Sequence, residues 1–176
     1  MTSSPLTTAA FWRYWLPLPP SAALPLGQIS PDFALWDATH QRTVRLANWR
    51  GKQPVVLIFC RVLAELTYSP HRYAYLGAIN QAYGRFRDAG AEVLVVTNTV
   101  QRQGQAMVAD LGLTLPLLSD DSGTTFRAYF TGQALGAPLP AQFVLDAQGR
   151  LRYGHMFSLL HRQASPEDLL TVVETL

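Results

Sequence analysis

A chain of 176 residues, 48% hydrophobic and 15% charged, has the size and apolar content of one folded domain with a substantial core. Its formal charge of +2 is too small and too scattered for the basic cluster or stripe that a nucleic-acid partner requires. No window reaches the roughly eighteen uninterrupted apolar residues of a bilayer span, so the sequence predicts a protein that does not cross a membrane.

Residues 1–27 form a Pro/aromatic-rich extension and residues 28–176 the expected folded domain. Phe11-Trp12-Arg13-Tyr14-Trp15-Leu16 lacks the basic lead and continuous apolar core of a secretory signal, and Pro17, Pro19 and Pro20 stop regular structure beyond it. Two uses of Phe11, Trp12, Tyr14 and Trp15 stay open. They cover an apolar patch of their own domain, or they anchor a partner protein or a larger assembly, as aromatic residues often do at interfaces.

Regular patterning starts after Ser30. Residues 32–37 and 43–46 alternate as a short opening hairpin, and the apolar run Val55 to Cys60 has the length and composition of a strand buried on both faces. Ser69-Pro70 has the chemistry of a helix start, and Tyr73, Leu76, Ile79, Tyr83 and Phe86 recur at helical spacing up to Gly90. Glu92 to Thr97 is a second apolar strand, which makes a strand, helix, strand unit with a parallel pair.

A second helix is predicted over 101–111, with Met107, Val108 and Leu111 inward and Gly112 as its stop. Residues 115–118 are a short apolar segment and 124–130 a short helical one, preceded by Asp120-Asp121 as a turn and cap pair. Phe143 to Asp146 and Leu151 to His155, around the turn Ala147-Gln148-Gly149, form an antiparallel hairpin. Ser165-Pro166-Glu167-Asp168 opens a last helix with a cap, a first-turn proline and two carboxylates near the positive end of the helix dipole.

This order of elements is that of an α/β, thioredoxin-like fold: a central mixed sheet flanked by helices, with an N-terminal hairpin extension. Local wording agrees. Gly27 to Leu35 resembles the opening G-x-x-x-P-D-F-x-L of the peroxiredoxin (alkyl hydroperoxide reductase/thiol-specific antioxidant, AhpC/TSA) family, and Gly51 to Leu57 its G-K-x-x-V-V-L lead into a strand. Leu115 to Asp120 resembles its F-P-L-L-S-D segment, and Pro140 to Gly149 its P-A-x-F-V-x-D-x-x-G hairpin. The likeness is closest to peroxiredoxin-like redoxins whose first helix opens with C-P-x-C. It implies a site formed by that helix start facing a cis-proline loop. Ser69-Pro70-His71-Arg72 stand at the matching positions, with Ser69 and Arg72 in place of the two cysteines, and Pro140 matches the cis-proline.

The family chemistry needs a thiolate that attacks a peroxide or disulfide sulfur. Serine does not replace it, because an alcohol lies several pKa units above a thiol and helix-dipole effects of roughly 1–2 kcal/mol do not close that gap. His71 is no base for Ser69, since side chains two residues apart at a helix start diverge and no carboxylate is placed to orient the imidazole. The remaining thiol is Cys60, the only cysteine, which excludes an intrachain disulfide and fits a reducing, cytoplasmic setting. It lies where parallel sheets place their sites, beside Arg61, whose charge could lower its pKa; buried cysteines more often act as inert small hydrophobes.

His40, His71, His155 and His161 show no ligand spacing, so neither a metal nor another cofactor is expected. Arginine supplies almost all the positive charge, and Arg72 among Tyr68, Tyr73 and Tyr75 has the chemistry to hold an anion or simply to be solvated. Two functions remain. The favoured one is a catalytically degenerate redoxin kept as a binding or structural module, with no catalytic residue. The alternative is an active thiol peroxidase or oxidoreductase using Cys60.

Overall fold

The computed structural model describes residues 23–62, 73–134, 137–156 and 163–176. The run Val55 to Cys60 becomes strand β3, because six consecutive apolar residues satisfy a sheet only where both faces are covered. Strands β1 (Ala34–Asp37), β2 (Arg42–Arg45), β4 (Glu92–Thr97), β5 (Leu117–Ser119), β8 (Ala141–Leu145) and β9 (Leu151–Met156) join it in a sheet of order β2-β1-β5-β4-β3-β8-β9. β3 pairs in parallel with β4, and β4 with β5, whereas β8 pairs antiparallel with β3 and β9 with β8. The expected mixed sheet and opening hairpin are both present, the latter with Leu35 opposite Val44.

Helices α1 (Ala74–Asp88), α2 (Gln101–Leu111), α3 (Thr124–Ala128) and α4 (Pro166–Glu174) flank the sheet. The period of two in β3 sorts its side chains into two cores. Val56 and Ile58 face Leu76, Ile79 and Phe86 of α1, Met107 of α2, and Leu169 and Val173 of α4. Val55, Leu57 and Phe59 face the other way, toward Phe33, Leu46, Phe126 and Phe143. There Phe59 is the hub: its ring lies 5.0 Å from those of Phe126 and Tyr129 and 5.6 Å from that of Phe143. Tyr129 is fully buried and keeps its hydroxyl satisfied by donating to the Pro31 carbonyl at 2.8 Å.

Local chemistry sets the element ends. Gly112 adopts φ 58° and stops α2 as expected, since its amide bonds back to Val108 in a left-handed cap. Within α2, a Cβ at Gly104 would sit 2.8 Å from Ser119 Oγ, so glycine lets this helix lie close against the sheet. Asp120 is buried and accepts from the amides of Thr124 and Thr125 at 3.1 and 2.8 Å, anchoring α3. In the β8–β9 turn, burial alone would raise the Asp146 carboxyl. Hydrogen bonds from the Arg150 amide, the Arg152 guanidinium and the Gln148 amide outweigh that and hold it below the usual range.

Several details differ from the sequence expectations. Residues 115–118 yield a strand only from Leu117, where pairing with Val95 of β4 begins. A two-stranded ribbon, β6 (Gln133–Ala134) with β7 (Ala137–Pro138), has no periodic signal to announce it. On α1, Ala82 takes a buried place beside Leu76, Ile79 and Phe86, while Tyr83 stays partly exposed with its hydroxyl donating to Glu92 at 2.8 Å.

Phe59→Ala is expected to cost about 3–5 kcal/mol in denaturant unfolding, because three rings lose their common contact. At α4, the Ser165 hydroxyl accepts from the Asp168 amide and the Asp168 carboxylate accepts from the Ser165 amide at 2.9 Å, so the predicted cap is a full capping box. Those backbone and hydroxyl bonds from Ser165 lower the Asp168 pKa. A depressed carboxylate stabilises the fold above its unfolded value, and that contribution is lost as pH falls through the folded one. Ser165→Ala is therefore expected to lower the urea midpoint at neutral pH, and the gap to the parent is expected to narrow, without vanishing, as pH falls below the usual carboxylate range and the hydroxyl–carboxylate bond is lost.

Candidate functional site

The carboxyl ends of β3 and β4 lie side by side, with Cys60 in register with Thr97, and the first residues after each strand are clamped together. Asn98 accepts from the Val62 amide at 2.7 Å through Oδ1 and donates through Nδ2 to the Val62 carbonyl at 2.9 Å. One side chain thus satisfies both main-chain groups of the residue that leaves β3. Thr97 and Thr99 share a hydroxyl hydrogen bond at 2.7 Å, and Thr97 also donates to the Leu118 carbonyl. This edge is a fixed frame.

Cys60 follows the parity of β3. It lies on the face of Val56 and Ile58 and packs against the helical core, on the opposite side from Phe59. The residue as a whole keeps partial exposure, but burial around Sγ pushes the thiol up to about 12. The expected help from Arg61 does not arrive. Its Nη2 donates to the Ala134 carbonyl at 2.5 Å, which ties the guanidinium to the β6–β7 ribbon, and desolvation lowers its own pKa. Arg61 lies just past the end of β3, and its guanidinium is taken up by the ribbon, which is the physical reason the expectation fails.

Above Cys60, a polar network joins three elements that are far apart in sequence. Gln142 of β8 is buried and sits in register with Ile58. Its Nε2 donates to the Tyr75 hydroxyl in a short hydrogen bond and to the Ala164 carbonyl at 3.2 Å, and its Oε1 accepts from the Ala164 amide at 2.9 Å. Tyr75 Oη in turn donates to the Ala164 carbonyl at 3.0 Å. The first turn of α1, the strand after Pro140 and the approach to α4 are locked together around one amide. Burial raises the Tyr75 pKa, so its hydroxyl is a neutral donor here. Sequence reading passed over Gln142, although a glutamine inside the otherwise apolar strand Ala141–Leu145 was the available signal.

Of the residues singled out from sequence, Ser69, Pro70, His71 and Arg72 lie outside the described residues, as do Phe11, Trp12, Tyr14 and Trp15. The described α-helix begins at Ala74, with Tyr73 at φ −111° in the capping position and no side-chain cap. Pro140 directly precedes β8, and its peptide bond is trans, since no described bond is cis. The cis-proline match is corrected accordingly. His40 is tied to the fully buried Asp37 at 2.7 Å through Nδ1, as part of a turn after β1. Among the described residues no group of three or more metal-ligating side chains gathers, and no helix is long and apolar enough to cross a membrane.

Comparison with known proteins agrees with this architecture. The family model for the AhpC/TSA family matches residues 26–154. Peroxiredoxin Q, chloroplastic, from Gentiana triflora is 30% identical over 154 residues, covering 81% of this chain and 68% of that protein. Its namesake from Triticum aestivum is 28% identical over 156 residues, covering 85% and 67%. Among solved structures, peroxidoxin BcpB from Mycobacterium tuberculosis superposes with a TM-score of 0.71 at 19% identity, covering 86% of this chain and 97% of that one. The mitochondrial 2-Cys peroxiredoxin from Plasmodium falciparum gives 0.70 at 15% identity, covering 86% and 93%. On the family match, this thioredoxin-like, peroxiredoxin-like chain belongs to the AhpC/TSA family.

Proposed function

We infer that this chain keeps the family's framework as a binding or structural module and does not turn over peroxide. The observation that carries the reading is the state of Cys60. A family reaction needs a thiolate, and Cys60 is the only cysteine in the sequence. Burial pushes that thiol up to about 12, so the neutral form dominates at pH 7. Among the described residues, Arg61 does not offset this, because its guanidinium is tied to the Ala134 carbonyl. Ser69, where the resemblance puts the redox thiol, offers an alcohol in its place.

What is retained supports a shape-based role. The Gln142, Tyr75 and Ala164 network and the Asn98 clamp hold the carboxyl edge rigid without supplying a nucleophile. A lone cysteine with no disulfide partner fits a cytoplasmic, reducing setting, and a protein partner is the ligand class that a rigid, thiol-poor edge suits. The alternative, a one-cysteine peroxidase on Cys60, has to overcome the burial of its own nucleophile.

The purified protein, given hydrogen peroxide or an alkyl hydroperoxide with dithiothreitol, is expected to consume peroxide no faster than the protein-free control, and Cys60→Ser is expected to change nothing. Turnover abolished by Cys60→Ser overturns the reading. Alkylation of Cys60 by iodoacetamide gives the matching pH test: burial favours the neutral thiol, so the rate should climb about tenfold per pH unit beyond pH 9. A plateau near pH 8–9 would mean an accessible, ordinary thiol.

A further inference from the structure

We propose that the aromatic segment Phe11–Trp15 is an intramolecular ligand for an apolar groove that runs along β9 of its own domain. The groove has a volume of about 250 Å³ and is lined by Leu24, Leu26, Leu151, Gly154 and Met156, with Phe143 beneath. It stands apart from the thiol face: Phe143 and Leu151 belong to the aromatic core, and Leu24 and Met156 pack against that core from the rim.

Two observations point to an occupant. The floor is a glycine in mid-strand, Gly154, exposed to solvent and backed by the Phe143 ring, which a Cβ there would meet at 3.4 Å. Its backbone has no positive φ that demands glycine, and glycine weakens a strand, so what the position gains is open space above Phe143. The second observation is Leu26, which forms one wall and is 69% exposed, the most exposed large apolar side chain among the described residues. An apolar wall and an apolar floor are left facing water on a strand that ends the sheet.

The chain itself says what fits. Gly27 donates to the Leu151 carbonyl at 2.7 Å, Leu151 donates to Gln28, and Ile29 bridges Arg150 in antiparallel sense. Residues upstream of Gly27 therefore track β9 toward Met156, and Ala23 also lines the groove. The aromatic residues are attached through 16–22, a stretch with Pro17, Pro19 and Pro20 that spans at most about 22 Å as polyproline. β9 is itself about 20 Å long. Phe11 to Trp15 are thus tethered within reach of the groove at high effective concentration, ahead of any partner in solution. Aromatic rings also suit the Met156 thioether at the groove's end. Neither Cys60 nor peroxide enters this proposal, so it stands or falls apart from the functional reading above.

Trypsin cleavage after Arg13, followed by mass spectrometry, tests it on the full chain. Cleavage is expected to be about tenfold or more slower than in a free peptide of residues 8–18. Leu26→Glu puts a carboxylate into a wall that is already solvent-exposed, so folding is unaffected, and it is expected to restore a rate within about twofold of the peptide's. Gly154→Leu, which fills the floor, should do the same. Absence of protection in the parent, or protection that survives Leu26→Glu, overturns the proposal. Protection that disappears on dilution from about 100 to about 1 μM assigns the groove to the segment of a second copy and equally overturns it.

Discussion

Everything in this molecule is arranged around a strand that has no free side. β3 spends its hydrogen bonds on β4 and β8, and its side chains alternate between two dry cores, leaving Val56, Leu57 and Phe59 with no solvent exposure. Burial of this kind is non-directional, but the strand's period of two makes it directional in effect. Helices α1, α2 and α4 cover one set of residues, and the ring cluster of Phe59, Phe126, Tyr129 and Phe143 covers the other. Shifting register by one position would exchange the two sets, so the strand specifies which element packs where.

The fate of the only thiol is a consequence of that alternation. Cys60 has the parity of Ile58, and so it packs against the helical core, where burial disfavours the thiolate. Arg61, the first residue past β3, is held by the Ala134 carbonyl. A small polarizable side chain at that spot packs as a small hydrophobe.

Polar groups at the carboxyl edge solve a different problem. Strands that end together leave main-chain donors and acceptors that water reaches poorly, and each must be matched. Asn98 matches both groups of Val62, and the Gln142 amide matches both groups of Ala164 while binding Tyr75. These amides carry no charge, so they fix geometry without creating a general acid or base. Among the described residues, these two amides brace the carboxyl edge of the sheet.

The sequence by itself determined what depends on neighbours a few residues away. Apolar runs marked β3 and β4, helical spacing marked the inward face of α1 at Leu76, Ile79 and Phe86, and Ser165 with Asp168 announced a capping box whose partners are three residues apart. The ordered motifs over 27 to 176 were enough to reach the family. Tertiary structure alone decided the chemistry of the site. Gln142 meets Tyr75 across 67 residues and Ala164 across 22, and no local period encodes such a meeting. The same holds for Cys60: its pKa is set by how much water the surrounding helices and strands exclude, a property of the packed whole that the letters on either side of it do not contain.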